Sequence, residues 1–445
     1  MLRGFISVFT NRLINPEYIT CLMEISTFKL QNGIELYVHS SPLFTHTALQ
    51  FNFYSYNDED NAAKTLLNRV MMEGCGKYPT SQAISIAAEK EYGASVSSGS
   101  VTQNGMHNVC YSLNVLTREA LVSGQKTLEN MVSLLVSILA NPLLSDENFM
   151  AEHLNTKRKE LLLAEKRRKL DKQSIAGRGF METAIGKCIY TMDVAGTEED
   201  ILAVSHADCS TAYIRQLCEM PKKIFAGTNL EPEYIAGIVE KNFGCMPKTD
   251  SIITLPDAPE KKEHSRVERE FPCDQSLVFA GIPFDIPEST KEKRALNILT
   301  FYLGGYAGGR LFTEIRLKRD MAYGAYASID PHLGIIYGHA GIDRANKDAV
   351  VDIMLEEFRK AAKGKITKSG LEKAKSYLLN QRKMNLHSKE MKLSVIESAA
   401  LEGRMDELKN YEQAYMDITP EDVINAASRL KFAPIVYCLL QQEKK

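Results

Sequence analysis

The stretch RLFTEIRLKRDMAYGA (310–325) ends in Tyr323-Gly324-Ala325, and the same tripeptide stands at Tyr92-Gly93-Ala94, 231 positions earlier (323 − 92). At that same offset Gly74 falls on Gly305. An apolar helix-like run precedes each glycine, AAKTLLNRVMM (62–72) and RALNILTFYL (294–303). A second helix-like run follows, SQAISIAAEKEY (81–92) and RLFTEIRLKRDMAY (310–323). Apolar residues recur three and four apart in these runs, the helical period.

The parallel extends in both directions. After each Tyr-Gly-Ala comes a strand-like segment, HNVCYSLNVL (107–116) and GIIYGHAGI (334–342), rich in β-branched and aromatic residues. Amphipathic runs follow (119–140 and 347–364), then charged helices near 149–170 and 368–386. Each half closes on a short helix and a strand, KKIFAGTNL (222–230) in the first and APIVYCLLQ (433–441) in the second. The first half opens on FKLQNGIELYVHS (28–40), whose Asn32-Gly33 marks a tight turn between strands, and on TALQFNFYSY (47–56). The second opens on SRVEREFP (265–272) and QSLVFAGIPFD (275–285). Between them, residues 246–265 are polar and hold three prolines, a linker composition. The sequence therefore predicts an N-terminal extension (1–22), a first lobe (23–245), a linker (246–265) and a second lobe (266–445), each lobe of ordinary domain size.

Composition excludes several classes. A net charge of −2 points to neither nucleic acid nor a membrane surface, and no apolar run approaches the ~18–20 residues that span a bilayer. The nine cysteines are scattered with no C-x-x-C pair, which argues against a disulfide framework and for a reducing, cytoplasmic setting. Residues 1–22 carry Arg3 and Arg12 and no acid before Glu17. They read as a plain extension ahead of Met23, with organelle targeting the alternative.

No self-contained catalytic motif appears. There is no G-x-S-x-G and no H-E-x-x-H. LGGYAGGRL (303–311) lacks the Gly-Lys-Ser/Thr of a P-loop and reads as a flexible turn before a helix. The basic run KRKELLLAEKRRKLDK (157–172) reads as a solvated helix with flanking acids rather than a docking face for anions.

The segment GGRLFTEIRLKRDMAYGAYAS (308–328) resembles the second-lobe signature of the M16 (pitrilysin-like) peptidases, R-L-F-x-E-I-R-x-x-x-x-x-A-Y-x-x-x-S. The resemblance covers residues 23–445, in the smaller bacterial, processing-peptidase-like type. It implies an α+β fold of two homologous lobes, each an antiparallel β-sheet packed with helices. It also implies that Arg316 and Tyr323 contact the peptide substrate. An arginine can donate to peptide carbonyls, and a tyrosine hydroxyl can donate to a scissile carbonyl as charge develops. Read without the resemblance, Arg316 is a solvated helix charge and Tyr323 a core aromatic.

Catalytic members carry H-x-x-E-H on the first helix, two histidine ligands and a glutamate that activates the zinc-bound water. Alignment on Gly74 puts Thr65, Asn68 and Arg69 there. Thr and Asn are poor zinc ligands, and Arg69 sets a fixed positive charge at the cation's place. No register shift helps, because residues 57–75 contain no histidine. The last ligand maps to Glu165, which with both histidines gone reads as an ordinary solvated helix charge. Where catalytic members place Asn-Ala to hold the peptide backbone, this chain has Ser97-Ser98. The resemblance thus implies a non-catalytic subunit with no cofactor of its own. It would pair with an H-x-x-E-H-bearing M16 paralogue that holds the zinc, and act on a peptide bound as an added strand. The alternative is a non-enzymatic binding or assembly protein on the same scaffold.

Overall fold

The computed structural model describes residues 24–116, 126–145, 148–248, 253–385 and 388–442. The extension 1–22 lies outside them. Two mixed sheets organise the chain. The first contains β1 (Ile25–Lys29), β2 (Glu35–Ser40), β3 (His46–Tyr56), β4 (Ser95–Gln103), β5 (Met106–Leu116) and β8 (Lys222–Thr228), in the spatial order β1-β2-β8-β3-β5-β4. Two short strands, β6 (Leu144–Ser145) and β7 (Asn148–Phe149), pair by themselves. The second sheet contains β9 (Ser265–Phe271), β10 (Ser276–Pro283), β11 (Ala322–Asp330), β12 (Ile335–Ile342) and β13 (Ile435–Gln441), in the order β11-β12-β10-β13-β9.

The repeat in the sequence is a repeat of topology. Read from the opposite end, the second sheet is β9-β13-β10-β12-β11, which matches β2-β8-β3-β5-β4 strand for strand. The pairings agree as well. β2–β8 and β13–β9 are parallel, and all the others are antiparallel. The first sheet adds β1, joined to β2 through a tight turn in which Gly33 takes φ +88°, as the Asn-Gly pair predicts.

The helices are α1 (Asn61–Val70), α2 (Ser81–Glu89), α3 (Thr127–Ala140), α4 (Ala151–Arg168), α5 (Lys172–Ile185), α6 (Glu198–Ala203), α7 (His206–Cys218), α8 (Pro232–Phe243), α9 (Thr290–Thr300), α10 (Lys347–Ala362), α11 (Lys368–Asn385), α12 (Lys389–Leu401), α13 (Tyr411–Met416) and α14 (Pro420–Ala427). Most cover one face of their own half's sheet. Leu49, Phe51 and Phe53 of β3 pack there with Leu66 and Leu67 of α1, and Val278, Ala280 and Ile282 of β10 with Leu296 and Leu299 of α9.

Two helices cross over. α5, from the first half, lies on the second sheet, where Ala176, Phe180 and Ala184 bury against Leu277, Phe279, Ile335 and Tyr437. α12, from the second half, lies on the first sheet, where Leu393, Ile396 and Ala399 bury against Tyr37, Tyr54 and Phe225. Each half thus supplies the cover for the other's second face. This is why β10 and β13 read as unbroken apolar runs: both of their faces are buried.

The glycine-rich stretch 303–311, expected to be a flexible turn, is tightly packed. A methyl on Gly304 would lie 2.6 Å from the backbone nitrogen of Ala327, and one on Gly309 would lie 2.7 Å from the Gly304 Cα. Backbone is the obstacle in each case, and it cannot swing aside. Gly304→Ala is expected to destabilise the protein by at least about 2 kcal/mol, visible as a lower urea midpoint. The runs 81–92 and 310–323, each expected as one helix, end early, at Glu89 and Leu317. Left-handed residues then turn the chain into the next strand: Tyr92 (φ +58°) and Gly93 in the first half, Asp320 (φ +53°) in the second.

Candidate functional site

α1 lies against the edge strand β4. Asn68 donates to Ser100 Oγ at 3.1 Å, and Ser98 Oγ donates to the Asn68 carbonyl at 3.1 Å. β4 pairs with β5 alone among the described residues, so its outer edge is open. Ser97 on it is exposed and Ser98 half-buried.

The residues in place of a zinc triad are knitted into the fold. The Thr65 hydroxyl donates to the Val194 carbonyl at 2.6 Å and lies 3.2 Å from His107 Nε2. Asn68 is committed to β4, and Arg69 is half-buried at the end of α1. Glu165 departs from its expected role as a solvated charge. It is buried, 7% exposed, and accepts from Arg168 Nε at 2.9 Å. Arg168 also pairs with Asp193 at 2.9 Å, and Arg178 pairs with the same aspartate. A neutral hydroxyl, an amide, a guanidinium and an arginine-bound carboxylate do not make a zinc site. Among the described residues no group of three or more His, Cys, Asp or Glu is arranged to hold a metal ion.

The basic run in α4 is paired at Lys157, Arg158 and Arg168, while Lys159, Lys166 and Arg167 are exposed. Lys157 pairs with Glu73 at 2.7 Å, and Arg158 caps the end of α6 through the carbonyls of Ile201 and Val204.

His107 is the residue near α1 that sequence reasoning passed over. Its place on β5 is in register with Val109, Tyr111 and Leu113, which face the core, and that alternation was the available signal. The Thr65 proton goes to Val194, so His107 Nε2 carries a hydrogen, and its Nδ1 is buried without a partner. A second proton would create an unpaired buried cation. Burial first, then the charge of Lys64, pushes the His107 pKa down to about 4. Between pH 6.5 and 4 the unfolded chain takes up a proton that the folded chain refuses, so stability falls as pH falls through that window. The loss reaches about 3 kcal/mol at pH 4. His39 and His339, also lowered by burial, act in the same direction. Urea midpoints at pH 7 and pH 5 should differ measurably less in His107→Phe than in the parent chain.

The 308–328 segment divides by role. Leu311, Ile315, Ala322 and Ala325 are core. Glu314 is buried and accepts from Arg310, Lys318 and Arg319. Burial alone would raise its pKa, but these cations hold it at about 2. Arg310 also binds Glu357 at 2.8 Å, tying the segment to α10.

Arg316 and Tyr323 face outward together. The Arg316 guanidinium lies 5.5 Å from the centre of the Tyr323 ring and pairs with Asp320 four residues on. Tyr323 is 84% exposed, not a core aromatic. The β11–β12 register shifts between Ala322 and Ala325, so Tyr323 stands in a bulge of an edge strand. Bulges re-aim side chains and gather beside active sites.

A duplicated α+β lobe, an open-edged first sheet, a first helix with no His, Cys, Asp or Glu and an outward Arg–Tyr pair define a two-lobed scaffold whose first helix offers no zinc ligand. Residues 223–378 match the family model described as peptidase M16 inactive domain. The chain is 20% identical to the "Probable inactive metalloprotease YmfF" of Bacillus subtilis (strain 168), over 78% of this chain and 82% of that one. Its fold matches that of a conserved protein from Enterococcus faecalis V583 (TM-score 0.82, 20% identity, 95% of this chain and 99% of that one). It also matches a peptidase M16 inactive domain from Pseudomonas fluorescens (TM-score 0.79, 17% identity, 95% and 99%). The chain is thus similar to proteins described as inactive members of the M16 peptidase family. No helix among its described residues is long and apolar enough to cross a membrane, and all eight described cysteines are free thiols.

Proposed function

We propose that this chain is the non-catalytic subunit of a two-chain M16-type zinc peptidase. A paralogue carrying H-x-x-E-H supplies the zinc, and this chain supplies Arg316 and Tyr323 to the peptide bound there. The observation that carries the reading is the bulge that turns Tyr323 out of β11, 84% exposed and stacked on Arg316. A large aromatic ring held outward beside a guanidinium contributes little to the core and is available to a ligand. Arg316 is bound to Asp320 by an exposed i,i+4 pair, worth roughly 0.3–0.5 kcal/mol, so exchanging Asp320 for peptide carbonyls is cheap. The free edge of β4 suits a peptide added as a strand. Free thiols suit a reducing compartment such as the cytoplasm.

The test is peptide cleavage by this chain, by an H-x-x-E-H paralogue from the same organism, and by the two mixed. Cleavage confined to the mixture supports a shared active site. Chelator-sensitive cleavage by this chain alone overturns the reading. Binding to the paralogue with no gain in cleavage moves the function to an assembly role, with Arg316 and Tyr323 dispensable.

A further inference from the structure

A cavity of about 430 Å³ lies between the first sheet and α12, and neither Arg316 nor Tyr323 lines it. At its wall stands Glu397 of α12. Its Oε1 accepts three hydrogen bonds, each of 2.7 Å, from Asn52 Nδ2, Tyr54 Oη and Asn108 Nδ2. All three donors are neutral, and no lysine, arginine or histidine among the described residues pairs with this carboxylate. Burial pushes its pKa up, and the three donors oppose that rise.

A buried carboxylate without a cation is an expensive arrangement. Its neighbours sharpen the point. Asn52 is 1% exposed, and its Oδ1 and that of Asn108 are buried with no hydrogen-bond partner. The cavity wall thus carries two carboxylates, Glu397 and Glu402, and no lysine, arginine or histidine; Glu402 is taken by Arg404, which leaves Glu397 without a cation. The remaining wall includes Met106, Leu255 and Leu401, which are apolar. The volume is within the range of small-ligand sites.

We propose that this cavity binds an organic cation, an ammonium or guanidinium group on an alkyl arm, with Glu397 as its acceptor. The alkyl arm lies along Met106, Leu255 and Leu401. A hard metal ion is a poorer fit, since such ions collect several carboxylates and the other one on this wall, Glu402, is held by Arg404. The cation can be a free amine or the side chain of a basic residue in a peptide. Neither source requires the chain to serve a peptidase.

Calorimetric titration of the full chain decides it. The probes are agmatine, the peptide acetyl-Ala-Ala-Lys-Ala-Ala-amide, the same peptide with norleucine for lysine, and calcium chloride. Binding of agmatine or the lysine peptide, with no binding of the norleucine peptide, is the expected result. Agmatine alone identifies a free small molecule, and the lysine peptide alone identifies a side chain. Glu397→Gln retains an oxygen for the three donors and removes the buried charge. It should fold with a melting temperature equal to or above the parent's while cation affinity falls about thirtyfold or more. Calcium binding alone, no binding of either cation at millimolar concentration, or unchanged affinity in a folded Glu397→Gln protein would each overturn the proposal.

Discussion

Phe180→Ala lowers the unfolding free energy by about 3–5 kcal/mol and does so in a single transition for the whole chain. Phe180 sits on α5, in the first half, yet both aromatic partners of its ring belong to the second. It stacks on Phe279 at 5.7 Å and meets Tyr337 at a tilt, at 4.9 Å between ring centres. Its tip lies over Gly281, where a methyl group would come within 2.8 Å of it. Truncation removes a wholly buried ring from between two strands, and the sheet cannot close over the gap. The aromatic contacts add about 0.5–1.5 kcal/mol to the area term. Leu163→Ala on the neighbouring α4, where the side chain is 52% exposed, provides the control and should move stability by less than about 0.5 kcal/mol. Urea unfolding followed by circular dichroism reads both. Two separate transitions, with only the second-half one shifted, would refute the claim that the halves unfold as a unit.

Under the function proposed above, Tyr323→Phe in the two-chain assembly should reduce kcat by about a hundredfold or more, with KM little changed. Removal of one donor to a developing oxyanion costs about 10²–10³ in rate. The loss falls on kcat because the bond strengthens only as charge gathers on the carbonyl. The variant should fold normally, since the ring is 84% exposed and its hydroxyl has no partner among the described residues. Arg316→Lys is the complement. It keeps the charge but loses the planar fork, and should raise KM more than it lowers kcat. Wild-type rates in Tyr323→Phe, measured in a mixture shown to be assembled, would remove the tyrosine from the chemistry.

The duplicated lobe was legible because its signals are local. Asn32-Gly33 sets a turn, β5 alternates, and β10 and β13 are apolar throughout, so each strand announces itself within a few residues. The crossing helices were not legible. α5 contains Gly177 and Gly179, poor helix formers. Gly179 is fixed by the Tyr437 ring, which a methyl there would meet at 2.2 Å, a contact between residues far apart in the chain. α12 buries Lys392 among its apolar residues, where it donates to His39 Nε2 at 3.2 Å, and that breaks the amphipathic pattern. Glu397, on this unread helix, was invisible for the same reason. At the candidate site, the residue types at 65, 68 and 69 were legible in the sequence. The burial of Glu165 was not, because it depends on Arg168 and on the loop that brings Asp193 beside it.

The exchange of α5 and α12 also fixes an order of events on the ribosome. When residue 185 has emerged, Ala176, Phe180 and Ala184 have nothing to cover, because the strands they pack against have yet to be translated. The face of the first sheet around Tyr37 and Phe225 stays uncovered until α12 appears. At roughly 5–20 residues per second, that interval lasts on the order of 10–40 s. Through it the nascent chain presents bare apolar surface, and neither half can finish its core before the last quarter of the protein has been made.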